Sequence, residues 1–182
     1  MDWHKSTSKP KVVYDGKFIQ MVNRDGWEYA TRKNLTGIVG IIGVTDNNEL
    51  LLIEQFRPPI GKMVIEIPAG LAGDIKGSEN EALANAARRE LLEETGYKCK
   101  TLRQVAVGCS SAGICDEIIT VFFAKGLKQV EQAHGDGSEQ ITTHLVPIEK
   151  VESWLKKQRK NGKEVDLKVY SALAWVRVGS HK

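Results

Sequence analysis

The sequence has few cysteines, no long apolar run and little excess charge. Its three cysteines form no C-x-x-C pair, which argues against a disulfide framework or a zinc ribbon. No segment approaches the roughly 18 apolar residues of a membrane-spanning helix, and residues 1–11 lack the apolar core of a signal peptide. A net charge of +3 is too small to indicate nucleic-acid binding. We therefore expect a cytoplasmic protein that has neither a membrane nor nucleic acid as a partner.

Short apolar segments separated by turn residues predict a mixed sheet within one main domain. Strands are expected within residues 11–33, around a hairpin turn at Asp25-Gly26, and at 37–44 and 50–56 around a turn at 45–48. Further segments predict strands at 63–67, 117–124 and 141–147, a Gly-rich loop at 69–78, and helices at 149–158 and 167–178. This mixture indicates an α+β fold or an α/β/α sandwich.

The segment AARRELLEETGY at residues 86–97 is the most highly charged part of a predicted helix. Ser78 and Glu81 fit a capping box, which places the start of this helix near residue 79, and Gly96 suits its end. Ala84, Ala87 and Leu91 are expected to lie on the face that packs into the core.

Three carboxylates share another face of the same helix. Glu90 and Glu94 are four residues apart, and Glu93 is three residues from Glu90. Like charges at this spacing cost roughly 0.2–0.5 kcal/mol per pair, which salt bridges, solvent or a metal cation must offset. Grouped carboxylate oxygens suit Mg²⁺ or Mn²⁺. The alternative is a surface helix in which Arg89 and Glu93 form an ordinary ion pair.

This helix resembles the end of the Nudix box, whose pattern is G-x5-E-x7-R-E-U-x-E-E-x-G-U with U an apolar residue. The pattern is filled from its first glutamate onward by Glu81, Arg89, Glu90, Leu91, Glu93, Glu94, Gly96 and Tyr97. The box glycine should stand where this chain has Ile75. Gly70 is the obvious counterpart, which implies a five-residue insertion in the loop before the helix.

Segments outside the box resemble the ADP-ribose pyrophosphatase branch of the Nudix hydrolases. They are GKF (16–18), GWEY (26–29), EQFRPPI (54–60), EIPAGL (66–71), SSAGICDE (110–117) and DLKVYSALAW (166–175). The resemblance implies a Nudix fold at residues 37–182, with a small antiparallel β subdomain at residues 1–36 for dimerisation and base binding. Ala112 stands where that branch usually has proline. This difference weakens the case for strict ADP-ribose specificity, and GDP-mannose is therefore an alternative substrate.

The resemblance also implies a metal site. Glu90 and Glu94 would bind Mg²⁺, Glu93 would be an additional or bridging ligand with a catalytic role, and the backbone carbonyl of Ala69 would complete the site.

Two further box residues would support that site. Arg89 would hold a box carboxylate in place. Glu81 matches the box but is also the third residue of the capping box, and we favour the capping role.

Arginine and glutamate near the ends of two strands are candidate substrate-binding residues. Arg57 follows an apolar strand, where a guanidinium suits a phosphate, although an ordinary surface arginine is the alternative. Glu66 either contacts the substrate or satisfies Arg57.

Aromatic residues near the N-terminus are placed where the family binds the base between two subunits, which implies a homodimer. They are Phe18 and Trp27, and core packing is the alternative for Phe18. Glu28, beside Trp27, and Gly113, in the segment 110–117, are further candidate substrate-binding residues.

The family often supplies the general base from a mobile loop before a late strand. Counting back from Pro147 gives Glu139, and a register shift of one residue gives Gln140. Only one of the two can face the metal on an extended strand. Because glutamine cannot accept the proton, the chain would be catalytically impaired if position 140 faces the site.

The resemblance therefore implies Mg²⁺-dependent hydrolysis of the diphosphate bond in a nucleoside diphosphate sugar, with ADP-ribose giving AMP and ribose 5-phosphate. The alternatives are a housecleaning nucleoside triphosphate pyrophosphatase and a non-catalytic nucleotide-binding Nudix module. The N-terminal strands argue against the first alternative, and the three retained helix glutamates argue against the second.

Overall fold

A small antiparallel sheet forms the N-terminal part of the computed structural model, which describes residues 8–33, 35–73, 77, 81–133 and 140–179. Its strands are β1 (Lys11–Asp15), β2 (Ile19–Arg24) and β3 (Trp27–Arg32), in that order. Asp25 and Gly26 both have positive φ, at 54° and 88°, which is the geometry that a tight two-residue hairpin requires. The predicted hairpin turn is therefore confirmed.

The main sheet is mixed and is built around two long apolar strands. These are β4 (Gly37–Val44) and β5 (Glu49–Arg57). The remaining strands are β6 (Lys62–Glu66), β7 (Ala69–Ala72), β8 (Tyr97–Cys109), β9 (Ile118–Gln129), β10 (Thr142–Pro147) and β11 (Glu164–Val165). The strand order is β11-β6-β5-β4-β9-β8, with β10 also pairing β5 and β7 also pairing β4. Strand β4 runs parallel to β9 and antiparallel to β7.

Helices cover both faces of this sheet. Helix α1 (Leu83–Thr95) lies on one face, while α2 (Val151–Lys160), which follows a short 3₁₀ turn, and α3 (Leu167–Gly179) lie on the other. One buried cluster joins the sheet to α1 through residues that include Ile41, Leu51 and Leu91. A second cluster joins it to α2 and α3 through residues that include Leu52 and Leu173. The predicted α/β/α sandwich is confirmed. No helix in the described part of the chain is both long and apolar enough to cross a membrane.

Three predictions about local structure are wrong. Residues 69–72 form β7 instead of a loop, because their backbone pairs with β4 from Gly37 to Gly40. Helix α1 starts at Leu83, and its N-cap residue Ala82 has no side-chain capping bond. Glu81 therefore precedes the helix and does not cap it, while Ser78 lies outside the described residues. Ala84 is exposed, so the core face of α1 consists of residues such as Ala86, Ala87 and Leu91.

Candidate active site

A polar cavity of about 360 Å³ lies between α1, the end of β3, the ends of β5 and β6, strand β7 and the start of α3. Its described lining is dominated by charge. Five carboxylates face it, namely Glu66, Glu90, Glu93, Glu94 and Glu117, together with the cations Arg32, Arg57, Arg89 and Lys168. The three predicted metal-binding glutamates are thus brought together with Arg57, Glu66 and Arg89.

Helix α1 directs its carboxylates into the cavity because the opposite face of the helix is buried against the sheet. Glu90 and Glu94 are 9% and 5% exposed, which is rare for carboxylates unless they have partners. Glu94 Oε2 accepts a hydrogen bond from the backbone N–H of Ala69 at 2.9 Å. The backbone of β7 and the carboxylate of Glu94 are therefore held side by side.

Arg89 links the acidic residues of this region. Its guanidinium lies 2.8 Å from Glu90, 3.1 Å from Glu93 and 3.2 Å from Glu81, and it donates to the carbonyl oxygen of Leu71 at 2.8 Å. Burial opposes the charge on Arg89, but the hydrogen bond to Glu81 and the neighbouring carboxylate charges outweigh it and raise the arginine pKa. The guanidinium therefore stays charged and fixes the direction of the carboxylates.

Gly70 is required by a close approach between β7 and α1. A Cβ at this position would overlap the carboxyl carbon and both carboxyl oxygens of Glu90. The absence of a side chain lets the strand backbone lie directly against this carboxylate. This contact gives a physical reason for glycine at the position that the sequence analysis paired with the box glycine.

The cavity residues fit a hydrated divalent cation better than a cation enclosed by protein. Among the described residues, no three Asp, Glu, His or Cys side chains form a ready-made metal cage. Mg²⁺ typically keeps several waters and shares its coordination with one or two carboxylates and substrate phosphates. The buried carboxylates of Glu90 and Glu94 supply hard oxygen donors of this kind, and the backbone of Ala69 lies against them in the same cavity.

Arg57 and Glu66 form a bidentate ion pair in the lining of the cavity. The Nε and Nη2 atoms of Arg57 lie 2.6 and 2.8 Å from the two carboxylate oxygens of Glu66. Of the two contacts considered for Glu66, the structure therefore contains the one to Arg57. The arginine is about one-third exposed and lines the cavity, so part of its guanidinium faces the space where a ligand would lie.

The predicted base-binding residues are not in this cavity. Phe18 and Trp27 are 69% and 57% exposed, which excludes core packing for Phe18. Trp27 lines a separate cavity of about 340 Å³ beside the turn between β8 and β9. Glu28 and Gly113 are exposed, and neither belongs to the described lining of either cavity.

The described lining of the cavity includes neither candidate general base. Glu139 lies outside the described residues. Gln140 is described, is exposed, and lies two residues before β10 begins at Thr142. The choice between the two positions stays a prediction.

Four polar residues of the cavity were not singled out in the sequence analysis. Arg32, at the end of β3, pairs with Glu117 at 2.6 Å, and Ser110 donates to the same carboxylate at 3.0 Å. Lys168, at the start of α3, is the fourth of these cavity residues. Ser110, Glu117 and Lys168 belong to segments already quoted for their resemblance, which is the signal that could have identified them. Arg32 carried no comparable signal.

The sandwich architecture and the glutamate-bearing helix together define the arrangement expected of a Nudix hydrolase. Comparison with known proteins agrees with this class. The NUDIX domain model matches residues 35–172. The chain is 30% identical over 164 residues to the methanol dehydrogenase activator of Bacillus methanolicus, with 86% of each protein covered. It is 41% identical over 96 residues to the ADP-ribose pyrophosphatase of Bacillus subtilis, covering 53% of this chain and 49% of that protein.

The chain belongs to the Nudix family. The predicted resemblance to the ADP-ribose pyrophosphatase branch is confirmed by these relatives, as is the prediction of a Nudix hydrolase. A solved structure described as an ADP compounds hydrolase superimposes with a TM-score of 0.66 over 95% of both chains. At 19% identity, that likeness supports the fold alone.

Proposed function

We propose that this chain is a Mg²⁺-dependent hydrolase of nucleoside diphosphate sugars, with ADP-ribose as its principal substrate and GDP-mannose as a second. The observation that carries the proposal is that buried Glu90 and Glu94 line the same cavity as Arg57. A diphosphate is negatively charged and is bound by cations. This cavity offers carboxylates that could hold a metal ion, and an arginine that could bind phosphate oxygens. The relative named ADP-ribose pyrophosphatase supports the choice of nucleotide.

The proposed reaction is attack of water on one phosphorus of the diphosphate. The new bond joins the water oxygen to phosphorus, the bridging P–O bond breaks, and the electron pair leaves with the other phosphate. The products are a nucleoside monophosphate and a sugar phosphate. Bound Mg²⁺ would neutralise the diphosphate and lower the pKa of a coordinated water.

The chain's own residues have separate tasks in this proposal. Glu90, Glu94 and the carbonyl of Ala69 would hold the metal, and Glu93 would bind it or bridge to it. Arg89 keeps Glu90 and Glu93 in place through its contacts of 2.8 and 3.1 Å. Arg57, itself fixed by Glu66, would orient a phosphate oxygen.

The proton of the attacking water would pass to Glu139 in this proposal. Replacement by glutamine keeps the size of the side chain but removes the base, so Glu139→Gln should lower turnover by about 10²–10⁴-fold. If position 140 faces the metal instead, Gln140→Glu should raise turnover and Glu139→Gln should have little effect. Steady-state rates of the two variants decide between the positions.

We also propose that residues 1–36 form a subdomain through which two copies pair. Its sheet exposes large apolar residues, including Val12, Val13 and Tyr14 at 53%, 57% and 67%, and such patches are typical of interaction surfaces. In a dimer, Phe18 and Trp27 of the two copies would enclose the base.

Light scattering after size-exclusion chromatography tests the dimer. A mass near twice the 20.2 kDa of one chain is expected. Val13→Asp should shift this mass to that of the monomer, whereas Val178→Asp, an exposed change on α3, should not. A monomeric wild-type protein would refute the proposed dimer. The cytoplasmic location stays a prediction.

A regulatory role is a second candidate, because the Bacillus methanolicus relative that matches over 86% of both proteins is named a methanol dehydrogenase activator. Addition of the chain to a methanol dehydrogenase assay tests it. The decisive comparison is with a Glu94→Gln variant. A purely binding role should survive this substitution, whereas hydrolysis should be lost.

A further inference from the structure

The candidate active-site cavity is small for a whole nucleoside diphosphate sugar. Its volume of about 360 Å³ lies at the low end of the roughly 300–1,000 Å³ found for pockets that enclose drug-sized ligands. In the proposed function this space must also hold a divalent cation with its waters. In the proposed function the diphosphate and its cation would occupy this cavity, and the nucleoside and the sugar would extend beyond it.

Two ion pairs line the cavity. Arg32 pairs with Glu117, and Arg32 lies on β3, the strand that also carries the exposed Trp27. The other pair, Arg57–Glu66, and Lys168 also line a second cavity of about 580 Å³. The two spaces are therefore neighbours that share one wall.

The second cavity has the chemistry of a sugar site and not of a base site. Pro59, Ile60 and Val165 give it apolar walls, and none of the described residues that line it is aromatic. Glu164 and Asp166 add carboxylates. Although Glu164 contacts Lys62 at 2.7 Å and Asp166 contacts Lys168 at 2.6 Å, a carboxylate has about four acceptor sites and can also receive sugar hydroxyls.

We infer that the sugar half of the substrate lies beyond the Arg57–Glu66 pair, in this second cavity, and that Ile60 determines which sugars fit. This inference rests on the proposed function. Ile60 is 56% exposed in the turn between β5 and β6, where its N–H donates to the carbonyl of Arg57 at 2.9 Å. A change of its side chain therefore alters the cavity wall without disturbing the core.

Substrate pairs that differ in only one half of the molecule test the inference. ADP-ribose and ADP-glucose differ in the sugar, while ADP-glucose and GDP-glucose differ in the base. Ile60→Trp should lower kcat/KM for ADP-glucose relative to ADP-ribose by about tenfold, the lower limit for a change of one methylene in an apolar pocket. Ile60→Ala should change that ratio in the opposite direction. The ratio between ADP-glucose and GDP-glucose should stay within about twofold in both variants.

Val178→Trp, on the exposed surface of α3, is the matched control and should leave both ratios unchanged. Thermal melting of all three variants shows whether each is folded. The inference is overturned if both Ile60 variants keep the wild-type ratio of kcat/KM between ADP-glucose and ADP-ribose. It is also overturned if the ratio between ADP-glucose and GDP-glucose changes instead. If the wild-type protein hydrolyses none of the three substrates, the proposed function fails, and the sugar site fails with it.

Discussion

Gly70 offers a way to move a proposed metal ligand without removing it. A Cβ at position 70 would lie within 3.0 Å of the Glu90 carboxylate, a separation that real Cβ atoms essentially never show, and ordinary contact begins at 3.4 Å. Gly70→Ala must therefore displace this carboxylate by about 1 Å or more. Because the displaced group is the end of a flexible side chain, the backbone of β7 can stay in place.

The expected result is a large loss of activity with a small loss of stability. A displacement of about 1 Å in a catalytic site costs on the order of 10²-fold in rate, so kcat should fall by about 100-fold. Alanine also restricts the unfolded chain, which stabilises the fold by roughly 0.4–1 kcal/mol. Weakening of the Arg89–Glu90 pair offsets this by about 1 kcal/mol, so the free energy of unfolding should change by less than about 2 kcal/mol.

Nucleoside monophosphate release and urea denaturation measure the two quantities on the same preparation. Gly108→Ala is the control, because a Cβ at position 108 meets nothing within 4 Å, and it should keep wild-type activity. Wild-type turnover by a folded Gly70→Ala protein would show that the position of Glu90 does not matter for catalysis. The metal site proposed on α1 would then be wrong.

The remaining predictions concern charged residues. Arg89→Met leaves mostly buried carboxylates without their cation, so it should lower the free energy of unfolding by about 3 kcal/mol in urea. Added Mg²⁺ should recover more of that stability in the variant than in the wild type, and equal recovery would contradict the metal site. Arg57→Lys keeps the charge but loses the bidentate contact to Glu66, so KM should rise about tenfold, or 1.4 kcal/mol; an unchanged KM would exclude a phosphate contact. Burial opposes ionisation of Glu54, but hydrogen bonds from Lys163 and His144 outweigh it and hold its pKa below the ordinary value of 4.5. The resulting stabilisation is complete above that pH and is lost as pH falls through the lower, folded-state value. Glu54→Gln should therefore flatten the fall in unfolding free energy below pH 4.5, and an unchanged pH profile would contradict this.

Local sequence signals predicted the parts of the fold that local forces determine. The turn at Asp25-Gly26 and the end of α1 at Gly96 both need positive φ, and the structure has it at all three residues. Strand β8 was missed because it has no buried alternation, with Tyr97 as its only buried residue. Its position is determined by its long antiparallel pairing with β9, and a local sequence pattern cannot reveal such a pairing.

The site residues that lie on one helix could be predicted from the sequence, whereas those that come together from distant parts of the chain could not. The spacing of Glu90, Glu93 and Glu94 sufficed to group them, since a helix places such residues on one face. Arg32 and Glu117 are 85 residues apart in the chain, and only the folded sheet brings them together. The second cavity beside Lys168 depends in the same way on α3 starting next to β6.

Hydrolysis in ¹⁸O-labelled water tests the central claim most directly. The wild-type protein is incubated with ADP-ribose and with GDP-mannose, with and without Mg²⁺, and the products are weighed by mass spectrometry. Our account predicts Mg²⁺-dependent release of a nucleoside monophosphate and a sugar phosphate, one of which carries a single ¹⁸O atom. Absence of metal-dependent monophosphate release from any nucleotide sugar would contradict it.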